Sequence, residues 1–205
     1  MSARLPGLLT SGKVAVVLVE VQSGVMGAAA PWPALSDEAK RVGLVPNAAK
    51  LVAAARARGA PVIHCTAENL ANRFGQNVNA KLFATAAKVR GGDATAGDAP
   101  LPELHDPSDI VLPRYHGISP MTGTPLDSLL RNAGVTTIIL VGVSVSFAIL
   151  NTTMDAVNRA YQVILPVDAV AGFPRDYAEA VMTNTLSMLA TIAPTETIVS
   201  SWQQA

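Results

Sequence analysis

Two short stretches of this chain are apolar almost without interruption: residues 13–20 (KVAVVLVE) and residues 137–143 (TIILVGV). A strand with one wet face alternates apolar and polar residues. A run of β-branched and aliphatic residues with no alternation needs cover on both faces. Helix-like spacing lies between such runs. Residues 46–59 carry Ala48, Leu51, Val52 and Ala55 on one stripe, with Pro46 in the first turn and Gly59 beyond the end. Residues 124–134 repeat the pattern, with Thr124 as cap, Pro125 in first position, Asp127 in the first turn and Gly134 as the stop. Further strands are expected at 61–65, 110–112, 162–167 and 197–200, and further helices at 147–160 and 177–192. Repeated β–α units with buried strands give a parallel sheet flanked by helices. The expected fold class is α/β: a three-layer α/β/α sandwich on a mostly parallel sheet of about six strands. Residues 1–205 read as one domain.

Composition removes several classes of function. Half of the residues are hydrophobic and 15% are charged, which excludes a disordered chain. Fifteen basic against fifteen acidic residues leave no net charge. Nucleic acid and anionic membrane surfaces, which need clustered Lys and Arg, are therefore not expected partners. One cysteine, Cys65, excludes an internal disulfide and suits a reducing, cytoplasmic setting. Pro6 and Gly7 interrupt the first leucines before a signal-peptide core forms. The longest apolar stretch, residues 138–150, contains Ser144 and Ser146 and is shorter than the ~20 residues of a spanning helix.

In sheets of this kind reactive groups gather at the carboxyl ends of the strands. Four places qualify: Glu20 with Gln22, the His64–Cys65 pair, Arg114 with Tyr115 and His116, and the turn from Val143 to Ala148. Glu20 ends the first strand, where a carboxylate suits general acid–base work. Arg114 ends another, where it can neutralise Glu20 or hold an anionic substrate.

The run Gly142 to Ala156 (GVSVSFAILNTTMDA) resembles the isochorismatase-like, or cysteine hydrolase, family at its nucleophile-bearing strand–turn–helix. The family pattern is Gly-Val, four variable residues, Cys, Val or Ile, two residues, Thr, two more, then Asp-Ala. Gly142, Val143, Ile149, Thr152, Asp155 and Ala156 fall in register with it. Val19-Glu20-Val21-Gln22 looks like the family's hydrophobic-Asp-hydrophobic-Gln. Gly123-Thr124 with Leu126-Asp127 looks like its Gly-Thr-x-Leu-Asp helix start, and Tyr161-Gln162-Val163 with Asp168-Ala169 resembles a later strand and turn.

That resemblance implies a hydrolase on an isochorismatase-like fold, and it also marks where this chain departs. Family amidases use an Asp, a Lys and a Cys. Those positions hold Glu20, Arg114 and Ala148 here. Ala148 cannot form a thioester, and Arg114 keeps a charge without carrying protons near neutral pH. The resemblance offers a precedent for acid catalysis without the thiol, because the isochorismatase branch protonates a vinyl ether with its strand-end acid. It also leaves open a catalytically inactive member that serves in ligand binding or assembly. Gln22, Ser144 and His116 are the expected substrate-binding residues. The family's metal-binding branch carries histidines after the second strand, and residues 67–79 have none, so neither metal nor cofactor is expected. Ser144 and Ser146 lack an evident neighbouring base, and Cys65 reads as packing. The loops around Trp32 and over residues 91–109 are expected to shape specificity. The resemblance further implies a small-molecule substrate and a homodimer or higher homo-oligomer.

Overall fold

The computed structural model describes residues 4–10, 13–27, 30–89 and 92–204. Residues 1–3 and Gly91, which belong to the expected N-terminal stretch and long loop, lie outside them. The strands are β1 (Lys13–Val19), β2 (Val62–Ala67), β3 (Ile110–Arg114), β4 (Val135–Val143), β5 (Gln162–Pro166), β6 (Val170–Ala171) and β7 (Thr191–Ala193). They form one sheet of order β3-β2-β1-β4-β5-β7, with β6 paired to the end of β4. Each of these pairings is parallel. The helices are α1 (Leu5–Thr10), α2 (Ser23–Met26), α3 (Pro33–Val42), α4 (Leu44–Ala57), α5 (Lys81–Val89), α6 (Leu126–Asn132), α7 (Leu150–Asn158), α8 (Arg175–Val181), α9 (Ser187–Leu189) and α10 (Thr195–Gln203). Two π-helical turns, Val145–Ile149 and Met182–Leu186, lead into α7 and α9. No helix among the described residues is long and apolar enough to cross a membrane.

The uninterrupted apolar runs are accounted for by parity along the strands. Val14, Val16 and Leu18 pack with Leu9, Leu51, Ile198 and Trp202 in one core, which draws on α1, α4 and α10. Ala15, Val17 and Val19 join Leu126, Leu130, Ile149 and Ala178 in the other, which draws on α6 and α8. Both faces of β1 are dry, so neither parity tolerates a polar residue.

Two expectations at the C-terminal end are overturned. Residues 197–200 are not a strand but lie inside α10. Its start is fixed by Asp168, whose Oδ1 accepts from the Thr195 N–H (2.9 Å) and Oγ1 (2.7 Å). Ile198 and Trp202, four residues apart, then bury one helical stripe. The helix expected over residues 177–192 stops at Leu189, because Ala190 is extended and Thr191–Ala193 pairs with β5 as the sheet edge. Helices α1, α2, α3 and α5 had no counterpart in the sequence reading.

The order β3-β2-β1-β4 positions the site. From β1 the chain winds outward to β2 and β3, then returns to β4 on the opposite side of β1. Loops leaving β1 and β4 therefore diverge, and the crevice they open is where sheets of this type bind ligands.

Candidate active site

At that crevice Gly142 lets β4 press against β1. Its φ is +121°, and a Cβ there would stand 2.1 Å from the Val19 carbonyl oxygen. Only glycine permits both the backbone angle and the approach. The turn from Ser144 to Ala148 is thereby seated beside the end of β1; the Val143–Ser144 peptide that begins it is cis. Glu20, the residue after β1, has φ +57°, an uncommon angle for a residue with a side chain. Its N–H donates to the Cys65 carbonyl (2.9 Å), which holds that geometry. Residues kept in this region concentrate at functional sites.

Arg114 reaches Glu20 from two strands away. Its Nη2 donates to Glu20 Oε1 and its Nη1 to the Ile118 carbonyl (2.8 Å). The guanidinium is buried, and the Glu20 side chain retains 17% exposure toward the cleft. With both terminal nitrogens on protein acceptors, Arg114 is placed as the charge partner of Glu20. Ala148 and Ser144 line the same cleft, which encloses about 600 Å³. His116 lines it too, its Nδ1 3.1 Å from Asn77 Nδ2.

Other sequence candidates are placed elsewhere. Gln22 has no exposed surface and does not line the cleft. Its Oε1 accepts from the Ala67 N–H (2.7 Å), and its Nε2 donates to the Ala67 (3.0 Å) and Asp98 (3.1 Å) carbonyls. Cys65 sits in the core against Val19 and Leu112, and burial pushes its thiol up to about 12. His64 is buried with Nε2 3.0 Å from Asp109 Oδ2. A carboxylate oxygen only accepts, so the ring carries its proton on Nε2. Burial pushes the His64 pKa below its ordinary value despite the opposing pull of Asp109. Ser146 is buried with Oγ unpartnered among the described groups. The Phe147 N–H turns back onto the Ser144 carbonyl (3.1 Å), so any donors this turn offers to the cleft come from its other N–H groups.

Several cleft residues escaped the sequence reading. Glu68 follows β2 at the same sheet edge as Glu20 and accepts from Thr66 Oγ1 (2.6 Å). Leu82 and Phe83 come from α5, whose apolar stripe was the available signal. Of the two loops expected to shape specificity, the first brings Trp32 to the cleft wall. The described part of the 91–109 loop does not line the cleft; it supports the site from below through Gln22. Among the described residues no three His, Cys, Asp or Glu side chains gather as a metal site.

Comparison with known proteins places the chain in a family. The isochorismatase domain model matches residues 14–197. The chain belongs to the isochorismatase family. Relatives in this family include hydrolases. Ureidoacrylate amidohydrolase RutB of Methylobacterium radiotolerans is 32% identical over 149 residues, 62% of this chain and 54% of that protein. The match thus spans about half the length of that relative. The uncharacterized isochorismatase family protein YwoC of Bacillus subtilis is 29% identical over 178 residues, covering 83% of this chain and 84% of that one. An isochorismatase family protein from Desulfovibrio vulgaris superposes with a TM-score of 0.78 at 25% identity, over 92% of this chain and 97% of the other. N-carbamoylsarcosine amidase from Thermoplasma acidophilum shares the fold, with a TM-score of 0.70 at 22% identity over 90% and 97% of the two chains.

Proposed function

We propose that this family member is a hydrolase acting on a small molecule without a cysteine nucleophile, with Glu20 as general acid/base and Arg114 as its charge partner. The observation that carries the reading is the Arg114–Glu20 ion pair in the cleft that Ala148 also lines. A carboxylate with one face on a buried guanidinium and the other open to the cleft is held in place for proton transfer. With a ureido or carbamoyl substrate, Glu20 takes a proton from water as the water oxygen attacks the carbonyl carbon. It returns that proton to the departing nitrogen as the C–N bond breaks. With a vinyl ether, protonated Glu20 delivers its proton to carbon, water adds to the oxocarbenium ion and returns a proton to Glu20, and the resulting hemiacetal breaks into a carbonyl compound and an alcohol.

The relatives' names direct the choice of substrates, and the test is an activity screen over ureido, carbamoyl and vinyl ether compounds. Turnover that falls by about 10²–10⁴ in Glu20→Gln, the range of general acid–base catalysis, supports the reading. Turnover indifferent to Glu20→Gln sinks it. The reading calls for no metal or cofactor, so stoichiometric zinc or iron in protein purified without added metal would also count against it. A cytoplasmic setting, a homodimer or higher homo-oligomer, and no nucleic-acid or membrane partner complete the proposal.

A second reading, a non-catalytic member that binds a ligand or serves assembly, is favoured by one observation. Ala148 occupies the position where the resemblance puts the cysteine, and a methyl group offers no nucleophile. Saturable binding with no turnover across the screen selects this reading.

A further inference from the structure

The chain has nine aromatic residues in 205. Five of them, Trp32, Phe83, Tyr115, Phe147 and Phe173, line the cleft that holds Glu20 and Arg114. They arrive from five separate places: the approach to α3, α5 itself, the residue after β3, the turn after β4, and the segment before α8. Trp32 also packs against one core, but core packing does not explain the other four. The buried members of the two cores include only Tyr161 and Trp202 among aromatics. Tyr115, Phe147 and Phe173 instead remain 49%, 48% and 46% exposed. Large rings left half in water around one concavity are arranged for something other than the fold.

The charges in the cleft point the same way. Two carboxylates, Glu20 and Glu68, face two cations, Arg114 and Lys81, so the formal charges cancel. Arg114 is committed to Glu20 and the Ile118 carbonyl. Lys81 lies exposed, where water screens it. The cleft thus offers ring faces in quantity and, among the described residues, no buried, uncommitted cation to take a substrate carboxylate. Its volume, about 600 Å³, falls within the range of small-molecule sites.

We infer that the cleft takes an uncharged small molecule bearing an aromatic or similarly flat apolar ring, seated against these side chains. This names the substrate class of the proposed hydrolase, and it rests on that reading for turnover but not for binding.

Binding can be read directly because Trp32 lines the cleft while Trp202 is buried in the core. Trp32 fluorescence is titrated with acetamide, benzamide, 2-naphthamide, benzoate and benzylammonium, in the native chain and in Glu20→Gln. Affinity should rise at least tenfold from acetamide to benzamide and rise again with naphthamide. Benzoate and benzylammonium should bind at least tenfold more weakly than benzamide. Phe147→Ala and Phe173→Ala, at half-exposed positions, should each weaken naphthamide about fivefold with unchanged circular dichroism. Equal affinity along the amide series, or benzoate binding best, would overturn the inference without recourse to any variant. Ring-selective binding with no turnover of any screened substrate fails the hydrolase reading and leaves this one standing. Turnover of small ureido compounds with no ring preference does the reverse.

Discussion

The side-chain amide of Gln22 pairs with both backbone groups of Ala67, accepting from its N–H (2.7 Å) and donating to its carbonyl (3.0 Å). It stands in for a peptide unit, extending the β1–β2 ladder beyond the point where β1 ends. Ala67 lies opposite Arg114 in the β2–β3 register, so the amide also fixes the strand end that presents the guanidinium. Gln22→Ala removes the side-chain partner of the Ala67 N–H and a donor to the carbonyls of Ala67 and Asp98, all in a buried site. Each such group costs about 1–3 kcal/mol, and partial rehydration leaves an expected loss of about 3 kcal/mol. Urea unfolding checks it. A loss below about 0.5 kcal/mol would mean that the loop carries these bonds without the side chain.

Arg114 serves two acceptors with one planar group, a task a point charge performs poorly. Arg114→Lys keeps the charge but cannot reach Glu20 and the Ile118 carbonyl together, so a moderate loss of stability is expected. Arg114→Ala leaves Glu20 without its counter-charge, and losing one member of a buried pair costs about 3 kcal/mol or more. Thermal and urea unfolding of both variants should rank native above Lys above Ala. The same ranking should hold for any turnover found. An Arg114→Lys variant as stable as the native chain would show that charge alone, not the fork, holds the pair.

Much of this arrangement was legible in the sequence because strand ends are easy to locate in an apolar run. Glu20, Arg114 and Ala148 line one cleft because three strands terminate at the same end of the sheet, and each terminus was marked by a change from aliphatic to polar or turn-forming residues. Gln22 was legible as important and not as structural. Its amide is spent on Asp98, 76 residues away, and no local pattern announces such a pairing. The α10 reading failed for a related reason. Residues 197–200 are rich in β-branched side chains, but the deciding bond joins Thr195 to Asp168, 27 residues before it. The aromatic lining was illegible because its five members share a cleft and not a motif.

His64 and Asp109 give the stability a pH dependence away from the cleft. Burial keeps the folded His64 pKa below its ordinary value, whereas the unfolded chain binds that proton near pH 6.5. Below about 6.5 the unfolded state therefore holds more protons, and stability falls as pH drops from 6.5 toward the folded value, by at most about 1.4 kcal/mol per pH unit. Burial pushes the Asp109 carboxyl up, but Arg56 and His64 together hold it below the ordinary aspartate value. Its contribution is present above about pH 4 and is lost as pH falls through that lower value. Urea midpoints between pH 5 and pH 7.5 should slope upward in the native chain and flatten in His64→Gln. An unchanged slope in that variant would place the proton elsewhere.

The two thiol positions offer the most direct check on the geometry of the site. Cys65 is buried in the core and its thiol is pushed up to about 12, so at pH 8 almost none is thiolate. The native chain should resist iodoacetamide on a timescale that fully alkylates the denatured chain, and Cys65→Ser should leave any hydrolysis within a few-fold. Ala148 is also nearly inaccessible at its methyl group, yet it lines the cleft. Ala148→Cys, made in a Cys65→Ser background, extends a sulfur from that wall toward the space occupied by substrate. Its alkylation should run at least tenfold faster than that of native Cys65, and benzamide should slow it by occupying the same space. Protection by benzamide matters more than the rate, since it requires the sulfur and the ring to compete for one volume. A thiol at 148 that reacts as slowly as Cys65 would mean that this position packs into the core and that Glu20 works without it.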